Sequence, residues 1–274
     1  MGFKCKLLHA AQGFIEFCVT NRLAVKVYEG ILWNQIKGGQ IPGHIGVILD
    51  GNRRWALEQG YSTAEGHDAG ARKVEEFLDW CQKIGGIKTV TIYVLSTENF
   101  CRSEEELAEI LALLNRYLKA MREDERIHKS RIRVRVIGRV EMLPPDVQEN
   151  IKQLHEATKD YDNYYLNLAV AYGGRAEIVD AVKKIATRIE RGELSSTTLD
   201  EKVIESHLYT SFLPNPHPDL IIRTSGEERL SNFLLWQAAY SELCFLDVYW
   251  PSFRKIDLMR AIRVYQLRRR RFGV

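Results

Sequence analysis

The stretch from Ile45 to Ala56 constrains this chain more than any other. Four of the five residues from Ile45 to Leu49 are apolar and mostly branched, as in a buried strand. The run stops abruptly at Asp50-Gly51-Asn52-Arg53-Arg54. Open α/β sheets build sites in this way. A carboxylate ends a buried strand, and the glycine after it lets a ligand approach the backbone. Two arginines and an amide beside that carboxylate suit a phosphorylated ligand held with a divalent ion: guanidinium for oxygen, carboxylate for metal. The competing reading is a β-turn with surface arginines. Its position at the end of an apolar strand weighs against it.

From here strands and helices alternate. Strands are expected at His44–Leu49, Thr89–Leu95, Ile132–Ile137, Tyr165–Ala171, Leu220–Arg223 and near Leu243–Val248. Helical patterns lie at about 67–84, 103–129, 146–160, 175–191, 200–211, 231–240 and 255–271. This order predicts one α/β domain, with a mostly parallel sheet of about six strands flanked by helices. Residues 3–37 precede it as a helical segment, divided from it at Gly38-Gly39-Gln40-Ile41-Pro42-Gly43. The division is therefore an N-terminal segment at 1–40 and an α/β domain at 41–274. The segment reads as a helix packed on the domain, or as an interfacial helix resting on a membrane.

Composition narrows the partners. Lys+Arg 39 against Asp+Glu 36 leaves a net charge of +3, too small to argue for nucleic acid. Five scattered cysteines without a C-x-x-C fit a reducing cytosol rather than a zinc site or a disulfide framework. No apolar run is long enough to span a bilayer, and no cleavable signal is recognisable. The expectation is a cytoplasmic protein, soluble or peripheral on a membrane surface.

The other strand ends carry polar chemistry too. The second runs into Ser96-Thr97-Glu98-Asn99-Phe100-Cys101-Arg102, and Ser103 with Glu106 reads as a capping box that opens the next helix. The fourth runs into Ala171-Tyr172-Gly173-Gly174-Arg175. The fifth runs into Arg223-Thr224-Ser225-Gly226-Glu227-Glu228-Arg229-Leu230-Ser231. A parallel sheet gathers such loops at one edge.

These stretches resemble, in order, the motifs of the cis-prenyltransferases, the undecaprenyl and dehydrodolichyl diphosphate synthases. The first motif runs from His44 through Ala56, with Leu49 where methionine is usual, then Gly66-His67-Asp68-Ala69-Gly70. Ser96 to Arg102 resembles the second. Tyr172 to Arg175 resembles the third, with Ala171 where the family has asparagine. Asp219 to Gln237, followed by Tyr240-Ser241-Glu242-Leu243, matches the fourth nearly residue for residue. Arg271-Phe272-Gly273 is similar to the terminal Arg-x-Gly. The resemblance covers about 41–273.

The resemblance implies a fold with an apolar tunnel, and condensation of isopentenyl diphosphate with an allylic prenyl diphosphate to give a Z-polyprenyl diphosphate. It implies magnesium held by Asp50 and Glu242. Arg223, Arg229 and Ser231 would grip the homoallylic diphosphate, joined by Arg271 and the backbone of Gly273. Gly51, Asn52, Arg53, Arg54 and His67 would cradle the allylic one, while Trp55 and Phe100 flank the isoprene unit. Asn99 is the candidate at the proton-removal step, orienting water or diphosphate; Ser96, Thr97, Glu98 and Arg102 share its loop. The family's arginine three residues before Gly66 is here Thr63, which leaves one contact to the allylic diphosphate missing or supplied elsewhere. Two other readings stay open: an irregular prenyl coupling enzyme and a non-catalytic partner subunit. The Asp50 motif and the terminal Arg-x-Gly on one chain favour a homodimer. The arginines from Arg268 to Arg271 read as a functional tail on the last helix.

Overall fold

The computed structural model describes residues 22–269. Six strands form one parallel sheet in the order β3-β4-β2-β1-β5-β6. They are β1 (His44–Ile48), β2 (Thr89–Ser96), β3 (Ile132–Ile137), β4 (Tyr164–Tyr172), β5 (Leu220–Arg223) and β6 (Glu242–Phe245). β1 and β5 are buried at every residue, as covering both faces of a parallel sheet demands. β1 lies between β2, which follows it, and β5, to which the chain returns. Such a reversal opens a crevice at the carboxyl ends of the strands.

The helices are α1 (Arg22–Ile36), α2 (Asn52–Gln59), α3 (Thr63–Ile84), α4 (Glu104–Glu123), α5 (Glu125–Lys129), α6 (Pro145–Thr158), α7 (Gly174–Glu190), α8 (Glu201–Glu205) and α9 (Lys255–Arg269). The chain divides into two compact units. Residues 42–253 form one, with the sheet and α2 to α8; the described residues of 22–41 and 254–269 belong to the other. In the second unit α1 and α9 are tied together. Lys255 meets Glu29 at 3.4 Å, and Gln266 donates to the Ile36 carbonyl at 3.0 Å.

Several boundaries differ from the sequence reading. Asn52–Gln59 is helical although no helix is expected there, because Gly51 in the left-handed region (φ 100°) turns the chain straight into a helix. The pattern at 103–129 breaks at Asp124, whose carboxylate caps a new helix. Only Glu201–Glu205 of the span 200–211 is helical. The span 231–240 forms turns instead. Asn232 accepts from the backbone N–H groups of Gly174 (2.6 Å) and Arg175 (2.9 Å), and Ser231, Asn232 and Leu234 have positive φ. Tethering to the start of α7 therefore overrides the local helical pattern. β6 starts one residue earlier than expected and ends at Phe245. The expectations for 1–21 and 270–274, including those for Arg271 and Gly273, lie outside the described residues.

Candidate active site

The β1–β5 register sets Ile48 opposite Arg223, so Asp50 emerges just beyond a strand-end arginine. Arg223 is only 4% exposed. A guanidinium so buried must be paired. It donates from Nη2 to Asp50 at 2.7 Å, and from Nη1 to Ser231 Oγ at 2.7 Å and to the Arg229 carbonyl. Arg54 reaches the other Asp50 oxygen at 3.3 Å and Ser225 Oγ at 2.6 Å. Thr224 fixes the Asp50 backbone, its hydroxyl accepting from the Asp50 N–H at 3.0 Å and donating to the Asp50 carbonyl at 2.7 Å. Burial pushes the Asp50 carboxyl up. Arg223, with Ser225 and Arg54 behind it, outweighs this and holds it below the ordinary carboxylate range.

The Gly66-His67-x-x-Gly70 spacing has a packing cause. A Cβ on Gly66 would meet the Asn52 carbonyl at 2.6 Å, and one on Gly70 would meet Asn52 Oδ1 at 2.5 Å. The two glycines, one turn apart on α3, let α2 press against it. His67 lies between them. Its Nε2 is 3.3 Å from Glu106 Oε1, and Arg102 (2.5 Å) and Arg53 (3.5 Å) converge on the same carboxylate. Burial lowers the His67 pKa, and Arg102 and Arg53 add to that, against the pull of Glu106. Burial raises Glu106, but Arg102, His67 and Arg53 hold it below its ordinary range. Ser103 caps α4 by accepting from the Glu106 N–H, as expected, but the Glu106 carboxylate serves Arg102, Arg53 and His67.

Ser96 and Asn99 cap each other reciprocally. Ser96 Oγ accepts from the Asn99 N–H at 3.1 Å, and Asn99 Oδ1 accepts from the Ser96 N–H at 3.0 Å. That fixes the Asn99 amide with its NH₂ left to donate. Thr97 donates to Glu98, which accepts from Asn232 Nδ2 at 2.9 Å. Strain gathers along this edge: Ala171 (φ 48°), Ser225 (φ 75°) and Ser231 (φ 48°) are non-glycine residues in the left-handed region. The asparagine that the motif resemblance leads one to expect at Ala171 would tolerate that conformation better than alanine does.

Asp50, Asn52, His67, Ser96, Asn99 and Arg223 line the mouth of a cavity of about 650 Å³. Its walls are apolar: Ile92 and Leu95 from β2, Val74 and Leu78 from α3, and Ile110 and Leu114 from α4. Asn52 Oδ1 is buried here without a hydrogen-bond partner. Of the expected residues, Glu98, Arg102 and Ser231 line the same cavity as these six. Trp55 differs: it packs on Tyr61, ring centroids 5.6 Å apart, and lines a neighbouring groove with Asp68 and Arg116. Phe100 is half-buried on its turn, and Arg229 is exposed and paired with Glu227.

Glu242 stands apart from Asp50 within this chain. It stands beside Leu220, and Leu220 beside Ile45, so it lies level with the start of β1. Asp50 is five residues further on, about 16 Å along the strand. Within one chain the two carboxylates do not meet, and the described residues contain no cluster of three or more metal-ligating side chains. Sequence reasoning passes over Glu106, Thr224 and Ser225 as site residues. Their signal is adjacency: Thr224 and Ser225 follow Arg223, and Glu106 lies one turn after Arg102.

A charged mouth over an apolar cavity, at the carboxyl edge of a parallel sheet, belongs to an enzyme that holds an anionic head and an apolar tail. Residues 48–273 match the family described as putative undecaprenyl diphosphate synthase, and the chain belongs to that family. It is a prenyltransferase of cis-prenyl chain elongation, condensing isopentenyl diphosphate with an allylic prenyl diphosphate to give a Z-polyprenyl diphosphate. A relative from Methanocaldococcus jannaschii is 50% identical over 253 residues, covering 92% of this chain and 90% of its own. One from Methanopyrus kandleri is 53% identical over 248 residues, covering 90% of each. Both are named tritrans,polycis-undecaprenyl-diphosphate synthase (geranylgeranyl-diphosphate specific). Among solved structures, lavandulyl diphosphate synthase from Lavandula x intermedia with dimethylallyl diphosphate is similar at TM-score 0.79 and 36% identity, over 82% of this chain and 95% of that one. A probable undecaprenyl diphosphate synthase from Campylobacter jejuni is similar at TM-score 0.68 and 32% identity, over 85% and 99%. The family model and the curated relatives are named for undecaprenyl diphosphate synthesis, which supports elongation.

Proposed function

We propose that this elongase starts from geranylgeranyl diphosphate, with both diphosphates at the Asp50 mouth and the growing chain in the apolar cavity, which acts as the tunnel. The specificity carried in the relatives' names supports the starter. The observation that carries the site reading is the convergence of Asp50, Arg223, Arg54, Arg102 and His67 at one end of the apolar cavity. Each cation there faces a protein carboxylate: Asp50, Glu106 or Glu227. A diphosphate entering the mouth competes for guanidiniums already held in place.

The allylic diphosphate sits against Gly51, Asn52, Arg53, Arg54 and His67, where the start of α2 offers backbone N–H groups. The homoallylic one takes Arg223, Arg229 and Ser231, with Arg271 and Gly273 supplied by a second copy. Magnesium suits Asp50, because Mg²⁺ binds through one or two carboxylates plus substrate phosphates and needs no all-protein cage. When bound, it stabilises charge developing on the leaving diphosphate. The allylic C–O bond breaks, and the double bond of isopentenyl diphosphate attacks the allylic carbon. Loss of a proton then sets the new Z double bond. Asn99 orients the diphosphate or water that takes this proton, using the NH₂ its cap leaves to donate.

Two exposed apolar features support the partners. Val179 and Val182 stand exposed one turn apart on α7, a stripe that a homodimer would cover. Leu23, Val27 and Ile31 are exposed at four-residue spacing on α1, which suits peripheral contact with a lipid surface. Among the described residues no helix is long and apolar enough to cross a membrane.

The test is incubation with labelled isopentenyl diphosphate and a panel of allylic diphosphates, with and without magnesium, sizing the products by chromatography. Magnesium-dependent incorporation that is fastest from geranylgeranyl diphosphate is expected. Preference for a shorter starter would overturn the substrate, and metal-independent turnover would overturn the magnesium site.

A further inference from the structure

The far end of the cavity is built differently from the mouth. Most of its wall there is apolar, with Val74 and Leu78 from α3 and Met121 from α4. Glu75 interrupts it. This residue lines the cavity, yet its side chain is 45% exposed. The wall between α3 and α4 therefore reaches solvent at this depth. Glu75 lies eight residues beyond His67 on α3, about 12 Å deeper along the helix.

Its partner comes from the next element. Glu75 Oε2 is 3.0 Å from Arg126 Nη2, on the short helix that follows α4. Arg126 is in turn held by Asp124, at 2.6 Å to Oδ2 and 3.0 Å from Nε to both carboxylate oxygens. The ion pair thus ties the middle of α3 to α5, the short helix after α4, where the wall opens. Tyr117 and Met121 flank it on the cavity side.

An apolar chain gains free energy for every stretch it buries in this cavity. That gain ends where the wall becomes an ionised carboxylate. A chain tip reaching Glu75 must strip water from a charge, or part the ion pair and emerge between the helices. We propose that the Glu75–Arg126 pair sets the product length of this enzyme, stopping elongation where the growing chain meets it. The proposal rests on the reading that the cavity holds the growing chain.

The experiment sizes the polyprenols released from full-length variants fed labelled isopentenyl diphosphate and geranylgeranyl diphosphate. Glu75→Leu keeps similar bulk and removes the charge. Its products should be longer than wild type by at least one isoprene unit. Arg126→Ala should broaden the distribution toward longer products. The double exchange Glu75→Arg with Arg126→Glu rebuilds the pair with reversed polarity and should return the distribution toward wild type. Ala71→Leu adds bulk on the same helix face one turn nearer the mouth, and should shorten the products.

The outcomes separate. If Ala71→Leu leaves product length unchanged, the cavity does not hold the chain and the proposal falls with that reading. If Ala71→Leu shortens the products while Glu75→Leu and Arg126→Ala both leave them at wild-type length, the cavity reading stands and the ion pair is not the stop. Should Glu75→Leu fail to fold, Arg126→Ala and the exchanged pair decide the matter: wild-type length from Arg126→Ala overturns the proposal.

Discussion

Two carboxylates near the carboxyl edge of the sheet, Asp50 and Glu177, are both gripped by several donors and have opposite characters. Asp50 lies at the cavity mouth, and Arg223 and Arg54 keep it ionised. Glu177 is 1% exposed on the first turn of α7. It accepts from the Tyr172 hydroxyl, from Gln237 Nε2 at 3.0 Å and from the Tyr209 N–H at 2.8 Å, and these three donors are uncharged. Burial therefore raises its pKa, and its hydrogen bonds only partly offset this. Cationic partners at an open mouth mark a carboxylate for chemistry. Neutral donors in a closed core mark one for architecture, here joining α7, β4 and the turns after Phe233.

The largest expected effect falls on the first of the two. Asp50→Ala should lower turnover on the order of a thousandfold or more while the protein still folds, because charge on the leaving diphosphate goes unstabilised. Mixing it with a second dead variant lacking Phe272 to Val274, under conditions of subunit exchange, should restore a fraction of activity. One site in each mixed dimer then has both an intact Asp50 and its neighbour's tail. No recovery would mean that the tail serves its own chain.

Glu177→Ala should act on stability instead. It removes the shared acceptor of three donors, at roughly 1–3 kcal/mol for each left unsatisfied. A lower denaturant midpoint, with turnover per folded molecule near wild type, is expected. An unchanged midpoint would break the contrast. Thr63→Arg should tighten the allylic substrate by about tenfold, one charge-assisted contact; an unchanged Michaelis constant would show that Arg53 or Arg102 already fills the role.

The smallest effect is on pH dependence, and the two carboxylates give opposite signs. The raised Glu177 pKa means that its contribution to stability falls as pH rises from its ordinary 4.5 through the folded value. The lowered Asp50 pKa means that its contribution is present above 3.8 and is lost as pH falls through the folded value. Glu177→Gln should flatten the first slope and Asp50→Asn the second, as read from denaturant unfolding across pH.

Much of this contrast is legible in the sequence. The strand end at Asp50, the arginine at Arg223 and the Ser96–Arg102 loop all announce a ligand edge, because a parallel sheet gathers its strand-end loops along one side. Their pairing is not legible there. Asp50 and Arg223 meet at 2.7 Å through the β1–β5 register, which local spacing does not encode. The same limit applies to Glu242, since a carboxylate beside a strand reveals nothing of which end it occupies. Ser-x-x-Glu is a local pattern that presents Glu106 as a reciprocal cap, whereas its side-chain partners arrive from α2, α3 and the loop before α4. The turns at 231–240 carry a helical pattern, but their conformation is imposed by hydrogen bonds from the start of α7.

The most direct test measures labelled isopentenyl diphosphate turnover per folded molecule in Asp50→Asn and Glu177→Gln side by side. Both changes remove a carboxylate and keep its shape. The expected result is a loss on the order of a thousandfold in Asp50→Asn with the fold retained, and near wild-type turnover in Glu177→Gln despite lower stability. An Asp50→Asn enzyme keeping a tenth of wild-type turnover, or a folded Glu177→Gln enzyme as inactive as Asp50→Asn, would contradict the assignment of chemistry to the cavity mouth.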